Sequence, residues 1–319
     1  MVTKKGAGAM GQYARASVIV SGGDAVTPFT TPQFACGAGL AAGNTATAVR
    51  ETLLCAGIPV FTAPAMNGRS EVREPDIGSF GWFGKTPDPL PAHMTVNSIG
   101  DIDNAGEHLA RFLGYLHDRF GVREVDLIGH SNGGLFARAA IRIVQETGMP
   151  VTVRSLATLG TPWIGGNPQR IIYGEFPETE CQGQASCEAI LLGMRAAESR
   201  QQGLMPQNTA HYLQGESGWN EAQAGVLDGV PVLLIAGTAL ESAGGNPEFW
   251  PNDGLVSRFS ALAETVNSRV LPDRRELELP LLHSIYIADA LGEDWQLGMT
   301  WNPEVLTAVT TFEQEMRTH

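Results

Sequence analysis

Short apolar runs alternate along this chain with longer stretches in which apolar residues recur every three or four positions. The runs at residues 17–20, 58–62, 125–128, 151–159 and 230–235 are too short for helices and end in Gly, Ser or Thr clusters, so they read as strands. A last short strand is expected at 269–271. Residues 45–55, 99–120 and 305–316 carry helical spacing, as does the stripe Leu135, Phe136, Ala139, Ala140, Ile143 and Val144. His108 and His117 fall between apolar positions and are expected at the surface. Strand and helix in regular turn predict βαβ units and a mostly parallel sheet flanked by helices, an α/β fold. The Gly- and Pro-rich stretch 67–91 is expected to be irregular.

The alternation breaks between residues 162 and 229. Large apolar residues are scattered there without a strand period, among them Trp163, Ile164, Ile171, Leu191 and Met205. A structureless loop of that length is uncommon inside a compact domain. The stretch therefore reads as a lid or cap inserted into one α/β core made of residues 12–161 and 230–319.

Composition narrows the possible partners. The 319 residues carry a net charge of −13, which disfavours nucleic acid, whose phosphates need a basic surface. No apolar run approaches the roughly 20 residues that span a bilayer, so no transmembrane segment is expected. Lys4 and Lys5 are not followed by an apolar run, so an intact signal peptide is not expected either. Four cysteines, Cys36, Cys55, Cys181 and Cys187, form two sequence-local pairs without metal-type spacing. They are read as disulfides Cys36–Cys55 and Cys181–Cys187, the alternative being four buried thiols. Disulfides imply an oxidising compartment, hence a secreted mature protein.

The chemistry concentrates at Gly129-His130-Ser131-Asn132-Gly133, a G-x-S-x-G pattern led in by a strand and out by an amphipathic helix. So sharp a strand-to-helix reversal strains the serine backbone and leaves no room for side chains two residues to either side. Ser131 is thus the expected nucleophile. It needs a general base and an orienting carboxylate, which in this chain order follow as acid, then histidine. His283 lies after the last expected strand. His211 falls in the cap and His319 is the final residue. Asp253, in Asn252-Asp253-Gly254-Leu255-Val256, is the expected acid, with Glu241 and Glu248 as alternatives; Asp228 precedes its strand. The oxyanion donors are expected to be the N–H groups of Asn132 and, from the loop after the first strand, Gly23. Trp163 and Ile164 are expected to line an acyl groove, with His130 beside the serine shaping the pocket.

Gly129 to Gly134, Gly160-Thr161-Pro162, Asn252 to Val256 and Leu282-His283 together make the chain resemble the bacterial true lipases and esterases of the α/β-hydrolase superfamily. The resemblance spans residues 17 to about 291. It implies hydrolysis of acyl esters, a mobile lid, and Ser131, Asp253 and His283 as the triad. The chain departs from that pattern at Ser21-Gly22, where the family usually has His-Gly. It departs again at Ser284 and Ile285, where many members place a calcium-binding aspartate. Calcium is therefore not carried over, Asp289 being only a more distant candidate, and no metal or cofactor is expected.

The leading expectation is a lipase or carboxylesterase working through an acyl-enzyme on an ester or lipid substrate, with a lipid–water interface as a further partner. Two other readings stand beside it. One is a serine hydrolase for another acyl bond, such as a polyester, amide, thioester or lactone. The other is a non-catalytic binding protein on the same fold.

Overall fold

A computed structural model of the protein describes residues 13–33, 45–68 and 90–318. The apolar runs pair into one six-stranded sheet: β1 (Arg15–Val20), β2 (Val60–Thr62), β5 (Glu124–His130), β6 (Thr152–Leu159), β7 (Val232–Gly237) and β8 (Arg274–Leu279). Their order is β2-β1-β5-β6-β7-β8, and every pairing is parallel. Two-residue strands β3 (Ala65–Met66) and β4 (Val96–Asn97) form a separate ladder that the sequence pattern does not announce. In β1, β5 and β7 nearly every residue is buried, because a parallel sheet is covered on both faces.

The last strand differs from the expected one. Residues 269–271 lie in a turn, and the edge strand β8 has the sequence Arg-Arg-Glu-Leu-Glu-Leu. Its outer positions face water, so charged residues blunt the exposed edge and hide the strand from a search for apolar runs.

Helices cover both faces. Helix α2 (Ile102–Phe120) and α3 (Gly133–Glu146) pack on one face; α1 (Thr47–Cys55) and the C-terminal helix pack on the other. The apolar stripe of α2, Ile102, Leu109, Leu113 and Leu116, meets Leu135, Phe136 and Ala140 of α3. Burying each such side chain contributes about 1.5–3 kcal/mol. Asp101 caps α2 by accepting from the Asn104 N–H at 2.7 Å, and Gly121 ends it with φ 72°. The expected surface histidines of α2 are half-buried, and the Nδ1 of His108 donates to the Thr95 carbonyl at 2.8 Å.

Between residues 162 and 229 the chain forms short helices: α4 (Asn167–Ile172), α5 (Ala185–Ala197), α6 (Leu204–Gln207) and α7 (Ala210–Leu213). Only Leu191 and Ala197 of α5 are buried, and Leu192 is 72% exposed. Cys181 and Cys187 form a disulfide at the root of α5. Cys36, the expected partner of Cys55, lies outside the described residues, as do His319 and residues 69–89 of the stretch expected to be irregular. Two more helices follow β7: α8 (Arg258–Ala261) and, after β8, α9 (Ile285–Leu291); α10 (Pro303–Thr318) closes the chain.

Candidate active site

The chain runs from β1 outward to β2 and then returns to β5 on the other side, so the C-terminal ends of β1 and β5 flank a topological switch point, where open α/β sheets bind ligands. Ser131 follows β5 there with φ 55°, in the left-handed region that a residue with a side chain rarely adopts. Its neighbours explain how the turn closes. A side chain at Gly129 would overlap the backbone of Gly134, and one at Gly133 would overlap the carbonyl oxygen of Val20 in β1. The end of β6 holds the turn from the other side. The Ser131 N–H donates to the Leu159 carbonyl at 2.8 Å, and Thr161 Oγ1 donates to the Ser131 carbonyl at 2.8 Å. Thr161 sits in the Gly-Thr-Pro motif, whose sequence alone does not announce this contact.

Asp253 and His283 come together beside this turn. His283 Nδ1 donates to Asp253 Oδ2 at 2.8 Å, and the His283 N–H donates to the Asp253 carbonyl at 2.8 Å. The Leu255 and Val256 N–H groups donate to Asp253 Oδ1 at 2.9 and 2.8 Å, so both carboxylate oxygens are committed. Asp253 is fully buried and His283 is 2% exposed. His283 Nε2 has no hydrogen-bond partner among the described residues. The alternative acids lie elsewhere: Glu248 pairs with Arg170 at 2.8 Å, and Glu241 is exposed on its loop.

His130 supports His283 from behind. Its Nε2 donates to the His283 carbonyl at 2.8 Å, and the two rings stand 4.8 Å apart. Burial, reinforced by the nearby His283, pushes the His130 imidazole down from 6.5 to about 3, so it stays neutral.

Gly23 and Asn132 also meet at the serine. A side chain at Gly23 would stand 2.7 Å from Asn132 Nδ2, and Asn132 Oδ1 accepts from Asn208 Nδ2 at 3.1 Å. Next to Gly23, Asp24 pairs with Arg200 at 3.1 Å, which ties the stretch 162–229 to this loop.

Two cavities open at Ser131. One, of about 440 Å³, is lined by His130, His283, Val26, Tyr286 and Ile287. The other, of about 110 Å³, lies beyond Asn132 and is lined by Met194, Ala197, Gln169, Gln201 and Asn208. Trp163 and Ile164, expected in a groove, line neither cavity. Both are fully buried in the core, where Trp163 Nε1 donates to Thr158 Oγ1 at 3.2 Å and the Arg138 guanidinium lies 4.0 Å over the ring. Apolar character alone cannot tell a core position from a groove wall. The wall residues Met194 and Ala197 stand one helical turn apart on α5, and that spacing was their one available signal.

Residues 92–177, which include Ser131, match the family described as "Putative serine esterase (DUF676)". Among curated proteins none matches the chain. Among solved structures, a Bacillus licheniformis lipase in its propeptide form is similar at 15% identity and a TM-score of 0.52, over 94% of this chain and 51% of that one. A bacterial membrane phospholipase A is similar at 13% identity and a TM-score of 0.50, over 97% and 82%. Naproxen esterase from Bacillus subtilis is similar at 15% identity and a TM-score of 0.44, over 95% and 85%. The parallel sheet, the strand–serine–helix turn and these likenesses give the chain the α/β-hydrolase fold, with Ser131 inside the segment that matches the "Putative serine esterase" family.

Proposed function

We propose that the protein hydrolyses carboxylic esters through an acyl-enzyme on Ser131. One observation carries the reading. A buried, doubly anchored Asp253 holds His283 by Nδ1, leaving Nε2 uncommitted beside a serine at positive φ, with both residues lining one cavity. In acylation Ser131 Oγ bonds to the ester carbonyl carbon and passes its proton to His283 Nε2. His283 returns the proton to the leaving alkoxide as the ester C–O bond breaks. Water then repeats the sequence and frees the acid. Asp253 orients the imidazole and stabilises its charged form. The N–H groups of Asn132 and Gly23 receive the oxyanion, each such donor contributing about 3–4 kcal/mol of transition-state stabilisation. The segment 162–229 caps the site through Met194 and Ala197, on a core of residues 12–161 and 230–319.

A carboxylesterase is favoured over a lipase because the expected fatty-acyl groove at Trp163 and Ile164 is core. The Cys181–Cys187 bond fits an oxidising, extracytoplasmic setting. The test is hydrolysis of p-nitrophenyl butyrate beside emulsified long-chain triacylglycerol, with Ser131→Ala as control. The short ester is expected to be cleaved, and Ser131→Ala to lose at least about 10⁴-fold in kcat. A folded Ser131→Ala that keeps its activity overturns the assignment.

A further inference from the structure

The two cavities at Ser131 are unequal, and their positions relative to His283 assign them. The general acid must reach the leaving oxygen, so the alcohol of the substrate lies on the His283 side of the tetrahedral intermediate. With the oxyanion held by the Asn132 and Gly23 N–H groups, the acyl substituent is left pointing away from His283. His283 lines the cavity of about 440 Å³; it does not line the cavity of about 110 Å³ beyond Asn132. We infer that the protein is selective for esters of short acyl groups with bulky, apolar alcohols, the small cavity taking the acyl group and the large one the alcohol. This rests on the ester-hydrolase reading above.

Size and wall chemistry agree. A cavity near 150 Å³ holds the six carbons of benzene, so 110 Å³ fits an acyl group of about four carbons. Its wall carries four carboxamides, Asn132, Gln169, Gln201 and Asn208, and Asn208 Oδ1 is buried without a partner among the described residues. Pressing a fatty chain against the partly exposed carboxamide of Gln201 would strip its hydration with nothing in return. The larger cavity has the volume of an ordinary ligand site and presents Val26, Tyr286 and Ile287, which the small cavity lacks; Leu255 lines both. Met194 and Ala197 of α5 line the small cavity.

The experiment uses the full chain with two substrate series. In p-nitrophenyl esters from acetate to dodecanoate, kcat/KM is expected to peak at butyrate or below and to fall at least about tenfold by decanoate, since misfit of even one methylene costs about tenfold or more. In acetates of methanol, benzyl alcohol and naphthylmethanol, whose leaving alkoxides are of similar basicity, kcat/KM is expected to rise with the size of the alcohol. Met194→Ala is expected to move the acyl optimum to longer chains, and Ala197→Leu to lower the butyrate-to-acetate ratio by about tenfold, neither changing the order of the alcohols. Should Ala197→Leu fail to fold, Met194→Ala decides. A wild-type optimum at octanoate or longer overturns the inference, as does a Met194→Ala protein with an altered alcohol order and an unaltered acyl profile. Failure to cleave any ester in either series overturns the parent reading and the inference with it. Cleavage with a long-chain preference overturns the inference alone.

Discussion

Around Ser131, single side chains and single missing side chains decide what the site can do. Gly133 lies where a methyl group would overlap the Val20 carbonyl oxygen, which is sheet backbone and cannot swing away. Gly133→Ala is expected to destabilise the protein by about 3 kcal/mol or more, seen as a lower urea midpoint. His130 makes a different prediction. Its imidazole titrates near 3 in the fold and near 6.5 when unfolded, so between those values only the unfolded chain takes up a proton. Stability should therefore fall as pH drops from about 6.5 toward 3, and His130→Gln should flatten that limb in a series of thermal melts. The serine turn was legible in the sequence because its glycines and flanking periods state a local geometry. The link from His130 to the His283 carbonyl was not, because it joins residues 153 apart in the chain.

At the scale of elements, α10 docks on β1 and β5 through a buried charge network. Ser17 Oγ donates to Glu313 Oε2 at 2.6 Å, Arg317 pairs with Asp126 at 3.0 Å, and Arg15 holds Asp126 at 2.7 Å. Burial, with the negative charge of Asp126 beside it, raises the Glu313 carboxyl from 4.5 to about 8. Between those values the folded protein binds a proton that the unfolded chain has lost, so this group makes stability fall as pH rises. Glu313→Gln is expected to remove that loss, the melting temperature of the variant declining less between about pH 5 and 8 than that of the parent. Had Glu313 been ionised throughout, the variant would show no such difference. None of this network could be read from periodicity, since α10 displays an ordinary amphipathic stripe. Edge strand β8 was hidden for the opposite reason: its charged alternation suits a solvated edge rather than a buried run.

Over the whole molecule, the βαβ order and the sequence order of serine, acid and histidine carried the fold and the grouping of Ser131, Asp253 and His283. What the sequence could not carry was the path of residues 162–229, where short helices meet the core through scattered contacts without a period. That segment is stapled by Cys181–Cys187, whose small loop is worth about 2 kcal/mol in the chain-entropy account. Reduction is expected to lower the urea midpoint accordingly, and thiol counting in denaturant without reductant should find no free thiol at positions 181 and 187. Among the described residues no helix is long and apolar enough to cross a membrane. The central claim, that Ser131 is the nucleophile of an ester hydrolase, is tested most directly by treating the protein with a fluorophosphonate and mapping the adduct by peptide mass spectrometry. One adduct, on Ser131, lost in both Ser131→Ala and His283→Ala, is the predicted result. An unlabelled protein, or an adduct on another residue with Ser131 unmodified, would contradict the account.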